Sequence, residues 1–175
     1  MREDLLYNPE KVYRLQMDYT PPLICKLSSF LRTEPDFFIG GVQKGGTTSL
    51  YYSLIQHPQI IAAKTKETFY YGTAPHYQKG LSYYKQFFGT SLHKSLKQIS
   101  TGKKQLTVDG STNTFDSKEA PKRILKDNPN AKIIFIFRNP VERAYSHYKM
   151  SKKMGWEFAD FEKALELEEK RIAEG

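Results

Sequence analysis

The chain has 175 residues, 39% of them hydrophobic and 14% aromatic, which is enough to build one buried core and excludes a disordered tail. Lys and Arg number 27 against 19 Asp and Glu, and the net charge of +8 favours anionic partners: nucleic acid, acidic polysaccharide or a multiply phosphorylated nucleotide. Cys25 is the only cysteine, which excludes an intrachain disulfide and a thiolate metal cluster, and no run approaches the ~18 apolar residues of a membrane span.

The opening MREDLLYNPEKVYRL is mixed in charge and lacks the apolar stretch of a signal peptide; a soluble, reducing compartment is the simplest expectation. Residues 1–35 carry Pro9, Pro21, Pro22 and Pro35 and read as an extension leading into a domain over 36–175. Asp36 to Gly41 (DFFIGG) is the first strand signal, a short apolar run broken by glycines. Thr47 to Gln56 follows with Leu50, Leu54 and Ile55 at helical spacing, and His57-Pro58 stops it. Between 60 and 105 only Gly80 to Phe88 (GLSYYKQFF) suggests a short helix. Gln105 to Asp109 (QLTVD) predicts a second buried strand, and Ser117 to Asn128 a helix ended by Asn128-Pro129. Lys132 to Phe137 (KIIFIF) has the unbroken apolar run expected of a central parallel strand. Asn139 then caps a helix with Pro140 first and Glu142 third, a capping-box pattern. Residues 160–174 predict one last charged, amphipathic helix. Strands alternating with helices imply an α/β domain with a parallel sheet flanked by helices.

The segment Gly40 to Ser49, GGVQKGGTTS, lies between the first strand and its helix. Glycines there let backbone N–H groups close on an anion, and the helix N-terminus adds partial positive charge. The P-loop pattern G-x-x-x-x-G-K-[ST] begun at Gly41 would put its lysine at position 47, which is Thr47; the lysine is instead Lys44, in the turn itself. That placement suits a leaving phosphate–sulfate bridge better than a magnesium-bound triphosphate. A tight turn with no ligand is the plainer account of two glycines and a lysine.

The other half of a candidate site follows the KIIFIF strand. Ligands of parallel α/β sheets gather at the carboxyl ends of strands, where Arg138 emerges. Asn139, Arg143 and Ser146 fall at i, i+4 and i+7 on one helical face. Arg138 and Ser146 there suit a second phosphate, whereas Arg143 reads as structural; the competing account of Arg138 is an ion pair with Glu142. A magnesium-dependent kinase wants an acidic residue at such a strand end, and Asp109 is the available one.

These motifs together resemble the sulfotransferase family that uses 3′-phosphoadenosine 5′-phosphosulfate (PAPS). FFIGGVQKGGTTSL resembles its 5′-phosphosulfate loop and IFIFRNPVERAYSHY its 3′-phosphate strand and helix. KETFYYG, KGLSYYKQFFG and VDGSTNTFDSKEAPKRI are similar, in order and spacing, to the heparan-sulfate branch and its bacterial relatives. The resemblance implies a P-loop-like sulfotransferase fold, of which this chain is the N-terminal part. It implies that Lys44 contacts the 5′-phosphate and bridging oxygen, and that Gly45, Gly46, Thr47, Thr48 and Ser49 cradle the phosphosulfate. Arg138 and Ser146 would hold the 3′-phosphate, and Glu67 would be the general base. His57, His76, His93 and His147 are rival bases without a motif, and a surface Glu67 paired with Lys64 or Lys66 is the plain alternative. PAPS is the expected cofactor and 3′,5′-ADP its product, with no metal. The acceptor would be a small molecule or carbohydrate bearing a hydroxyl or amine, with no nucleic-acid partner. A cytoplasmic setting is expected, with a luminal Golgi fragment of a membrane-anchored parent as the alternative.

Two features depart from that branch: Gly110 follows Asp109 where a lysine is usual, and the family continues past the last helix seen here. Two other functions stay open on the residues alone, an atypical P-loop kinase using ATP and Mg²⁺ and a non-catalytic basic module for polyanions.

Overall fold

A computed structural model describes residues 21–174. They fall into two units that part between Phe137 and Arg138. The expected extension over 1–35 lies outside the described residues up to position 20. Its remainder forms α1 (Leu23–Leu27) and a 3₁₀ turn (Ser29–Leu31). This segment is tied down by buried Cys25, by Ser29 Oγ 2.7 Å from Ser82 Oγ, and by Arg32 donating to the Phe88 carbonyl at 2.6 Å.

The first unit holds a four-stranded parallel sheet in the order β2-β3-β1-β4, with β1 at Phe37–Gly41, β2 at Ile60–Ala62, β3 at Leu106–Asp109 and β4 at Lys132–Phe135. Between the strands lie α2 (Thr47–Leu54), α3 (Ala74–Tyr77), α4 (Leu81–Lys85), α5 (Ser91–Thr101), α6 (Asn113–Asp116) and α7 (Ala120–Asp127). β1 is buried along its whole length, and its side chains alternate between two cores as strand geometry requires. Phe37 and Ile39 join Tyr51 and Val108 on one face; Phe38 joins Tyr70, Tyr71, Tyr84, Phe88 and Ile124 on the other. Asp36 fixes the entry to β1, its Oδ2 accepting from Thr107 N at 2.7 Å and from Lys94 Nζ at 2.5 Å.

Several expectations need correction. The KIIFIF run forms a strand only to Phe135, and it is an edge strand among the described residues, not a central one; Phe135 and Phe137 are exposed. An unbroken apolar run marks a strand apolar on both faces and says nothing about its neighbours, and it is β1 that has a partner on each side. The helix expected from Ser117 starts at Ala120, with Ser117 Oγ accepting from Ala120 N at 3.2 Å, and the one after the glycine turn ends at Leu54. β2 and α5 were not expected. In α5, Leu92, Leu96 and Ile99 face solvent while Lys94 turns back to Asp36.

The second unit contains α8 (Pro140–Lys153), α9 (Phe161–Glu166) and α10 (Glu168–Glu174). Phe161 packs its ring on Tyr145 and Tyr148, with centroids 5.2 and 5.1 Å apart. The single helix expected over 160–174 is interrupted at Leu167. Arg171, beyond the interruption, pairs with Glu157 at 2.6 Å. Glu157 also accepts from the Phe158 and Ala159 N–H groups, and the Arg171 hydrogen bond foremost pulls its carboxyl down to about 2.

Candidate active site

The glycine turn leaves β1 in a conformation that dictates its sequence. Gly41 (φ 141°) and Gly46 (φ 105°) have backbone angles that disfavour side chains, and Lys44 itself has φ 66°. A left-handed non-glycine residue costs roughly 1–2 kcal/mol and is kept where function fixes it. Gly45 is excluded from substitution by space: a Cβ would lie 2.6 Å from the Ile136 carbonyl oxygen and 2.9 Å from that of Val42. Gly45 N donates to Val42 O at 2.9 Å and Val42 N to Ile136 O at 3.0 Å, so the turn is strapped to the chain just beyond β4.

Gly46 is the N-cap of α2 and has no side chain to cap it. The first intrahelical bond runs from Leu50 N to Gly46 O at 3.1 Å. The N–H groups of Thr47, Thr48 and Ser49 are therefore first-turn donors without intrahelical acceptors, at the positive end of the helix. Thr47 is buried, whereas Thr48 and Ser49 are exposed. Lys44 through Ser49 thus lie at the carboxyl end of β1, with the first-turn N–H donors of α2 among them. The fit to an anionic group rests on those first-turn donors and on the tight turn before them, which is packed too closely against the Ile136 and Val42 carbonyls to admit a Cβ at Gly45.

Glu67 lies beside this turn through an intermediary. Its Oε2 accepts from Thr112 Oγ1 at 3.1 Å. The Thr112 backbone carbonyl in turn sits 3.3 Å from where a Cβ of Gly41 would be. Glu67 Oε1 is ion-paired with Lys66, so the plain pairing envisaged from sequence is real, but it is buried: the Lys66 side chain is 4% exposed and that of Glu67 14%. Thr112 went unnoticed in the sequence because 45 residues separate it from Glu67.

Asp109 underpins this arrangement. Its carboxylate is buried and accepts four hydrogen bonds: Thr68 Oγ1 at 2.8 Å, Tyr84 OH at 2.7 Å, Ser111 Oγ at 2.6 Å and Ser111 N at 3.0 Å. Burial pushes the Asp109 carboxyl up, and the bonds from Ser111, Tyr84 and Thr68 oppose that. Ser111 Oγ also receives Thr68 N and Phe69 N, at 2.9 and 3.1 Å, and so fixes the backbone next to Glu67. A carboxylate with four protein donors is not free to hold Mg²⁺, which removes the metal ligand that a kinase needed. Tyr70 and Tyr71 are core residues, with Tyr70 stacked on Tyr84 at 4.4 Å.

Among the rival bases, His57 accepts from Gln59 N at 3.3 Å in the turn that ends α2. Burial, and Lys79 after it, hold His76 below the ordinary imidazole value.

In the second unit Asn139 caps α8, its Oδ1 accepting from Val141 N at 3.0 Å and Glu142 N at 3.3 Å. The capping box is only half made, because Glu142 turns to Arg138 instead, at 3.0 Å from Nε and 2.9 Å from a terminal nitrogen. Both partners are exposed, and such a pair contributes at most about 1 kcal/mol. Ser146 lies half-buried two turns along the same helix. Arg143 and His147 share a pocket within this unit with Arg171.

Residues 34–173 match the family model of the sulfotransferase domain. The chain belongs to the sulfotransferase family. Its relatives include the mouse bifunctional heparan sulfate N-deacetylase/N-sulfotransferase 4, 40% identical over 119 residues, and the human bifunctional heparan sulfate N-deacetylase/N-sulfotransferase 3, 37% identical over 119 residues; each alignment takes in 66% of this chain. The chain spans about 13% of the length of these curated relatives. Among solved structures it is similar to a sulfotransferase from Alicyclobacillus acidocaldarius, with a TM-score of 0.60 and 27% identity over 81% of this chain and 60% of that one. No helix among the described residues is long and apolar enough to cross a membrane.

Proposed function

We propose that this protein transfers a sulfuryl group from PAPS to a hydroxyl or amine of a carbohydrate. The observation that carries the reading is the turn of Lys44 to Ser49, closed to any side chain at Gly45, within a chain of the sulfotransferase family. When bound, PAPS supplies an activated sulfuryl group: the acceptor atom bonds to sulfur as sulfur parts from the bridging oxygen, leaving 3′,5′-ADP.

The residues of the chain divide the remaining work. Backbone N–H groups of Gly45 to Ser49, with the Thr48 and Ser49 hydroxyls, bind and orient the 5′-phosphosulfate. Lys44 holds its ammonium at the bridging oxygen, where negative charge develops; a preorganised cation there does the work asked of a metal ion in phosphoryl transfer. Arg138 and Ser146 take the 3′-phosphate, and the exposed Glu142 pair yields to it because a dianion attracts a guanidinium more strongly than one carboxylate does. Glu67 removes the acceptor proton on Oε2, a contribution of ~10²–10⁴ in rate. Carbohydrate as the acceptor class rests on the heparan sulfate relatives.

Fully desulfated heparin, which offers both hydroxyls and free amines, is the acceptor that tests this reading with labelled PAPS. Label appears in the polysaccharide with the native protein and disappears with Lys44→Ala. Retention of polysaccharide binding without transfer by either protein would instead favour a non-catalytic polyanion module.

A further inference from the structure

Lys66 is buried where a lysine is expensive to bury, and its surroundings explain what it does. A lysine ammonium taken out of water loses several kcal/mol of hydration unless charge and hydrogen bonds replace it. Lys66 finds two replacements, Glu67 Oε1 and the Gly110 carbonyl at 3.2 Å. Gly110 N donates back to the Lys66 carbonyl at 3.0 Å, so the two residues clasp each other at the end of β3. The clasp also explains Gly110. A Cβ there would lie 2.9 Å from Tyr51 Cδ2, 3.0 Å from the Lys66 carbonyl oxygen and 3.2 Å from Lys66 Cγ. The stem of Lys66 occupies the space that a side chain at 110 would need. A side chain at 110 would crowd Tyr51 and Lys66, and the glycine there leaves the corner to Lys66.

The consequence falls on Glu67. A glutamate loses rotamer freedom when it is fixed, so a base held ready needs anchors that are themselves immobile. Lys66 is one, pinned by burial and by Gly110. Thr112 is the other, on Oε2. With Oε1 taken by a cation and one lone pair of Oε2 taken by a hydroxyl, one in-plane lone pair is left on each oxygen, and that of Oε2 is on the oxygen that does not carry the Lys66 ion pair.

We propose that Lys66 is the positioning cation of Glu67: clamped by Gly110, it fixes the carboxylate so that Oε2 faces the acceptor proton. The proposal rests on the sulfotransferase reading given above. It assigns Lys66 no contact with the nucleotide.

The test compares the intact native protein with Lys66→Met, Lys66→Arg and Thr112→Val. Affinity for 3′,5′-ADP is read by calorimetry, and kcat and KM are read with PAPS and fully desulfated heparin. Lys66→Met is expected to keep 3′,5′-ADP affinity within about twofold while kcat falls about 10²-fold, the lower end of what a positioned base contributes. Lys66→Arg, which keeps the charge, is expected to recover at least about tenfold of that loss with little change in KM. Wild-type kcat in Lys66→Met overturns the proposal. So does a loss of 3′,5′-ADP affinity parallel to the loss of kcat, which would make Lys66 a support of the nucleotide loop. If Lys66→Met does not fold, Thr112→Val decides: it is expected to lower kcat about tenfold at unchanged 3′,5′-ADP affinity, and native kcat there overturns the clamp. A native protein that neither binds 3′,5′-ADP nor transfers label sinks the underlying reading itself, a result distinct from any difference among variants.

Discussion

Thr112 donates its hydroxyl to Glu67 Oε2 at 3.1 Å, and its carbonyl oxygen lies 3.3 Å from where a Cβ of Gly41 would be, so one residue stands between the carboxylate and the second glycine of the phosphate turn. This placement separates two properties that are usually lost together. Glu67→Gln keeps an oxygen for Lys66, leaves Gly45 to Ser49 untouched and removes only the proton acceptor. Transfer is expected to fall by ~10²–10⁴ while 3′,5′-ADP affinity stays within about twofold, read by initial rates and calorimetry on the same preparation. Equal losses in both would place Glu67 in nucleotide binding.

The turn itself is more brittle. Gly45→Ala forces a methyl group against two backbone carbonyls, those of Ile136 and Val42, and backbone cannot rotate away as a side chain can. A loss of about 1–3 kcal/mol in denaturant unfolding is expected, together with loss of 3′,5′-ADP binding. Gly89→Ala is the control: the nearest atom to its Cβ position is His93 Cδ2 at 3.8 Å, an ordinary contact, its φ is not positive, and nucleotide binding should survive it.

Asp109 is expected to be the costliest single side chain to remove from the first unit. Asp109→Ala leaves Tyr84 OH, Thr68 Oγ1 and the Ser111 donors facing a void, each unpaired buried group costing about 1–3 kcal/mol. Urea unfolding should show a loss of at least about 3 kcal/mol. A smaller loss would mean that water enters and takes over the four bonds.

The pH response of the second unit follows from Glu157, whose carboxyl Arg171 holds down at about 2 against an ordinary 4.5. A depressed folded value means that the stabilisation is fully present above the ordinary glutamate range and is lost as pH falls through about 2. Trp156, the single tryptophan, adjoins the pair and reports on it. The stability gap between native protein and Glu157→Gln, followed by Trp156 fluorescence, should be full at pH 7 and narrowed at pH 3. A gap that widens on acidification contradicts the assignment.

How far these features were legible in the sequence depended on whether their parts were contiguous. The turn from Gly40 to Ser49 carries its own explanation, since glycine spacing, strand before and helix after all lie within one short run. β1, β3 and α8 were legible for the same reason. What the sequence hid was relational. Lys66 and Glu67 are neighbours in the chain, yet their burial comes from Gly110 and Thr112, more than forty residues on. The edge position of β4 depends on which strands choose β1 as a partner, which no run of apolar residues encodes. The capping box at Asn139 was half right because Arg138, one residue earlier, competes for Glu142. In α5 a signal did exist, since Leu92, Leu96 and Ile99 have helical spacing, but the stripe faces solvent and its lysine faces inward, the reverse of an ordinary amphipathic helix.

Lys44 and Arg138 are expected to serve one nucleotide with phosphates at both ends of its ribose. Calorimetry of 3′,5′-ADP against 5′-AMP, on the native protein and on Arg138→Ala, measures this directly. The native protein is expected to prefer 3′,5′-ADP by roughly 10- to 100-fold, the value of charge-assisted hydrogen bonds to one phosphate, and Arg138→Ala to erase most of that preference. Equal affinity of the native protein for the two nucleotides, or tighter binding of ATP with Mg²⁺, would contradict it.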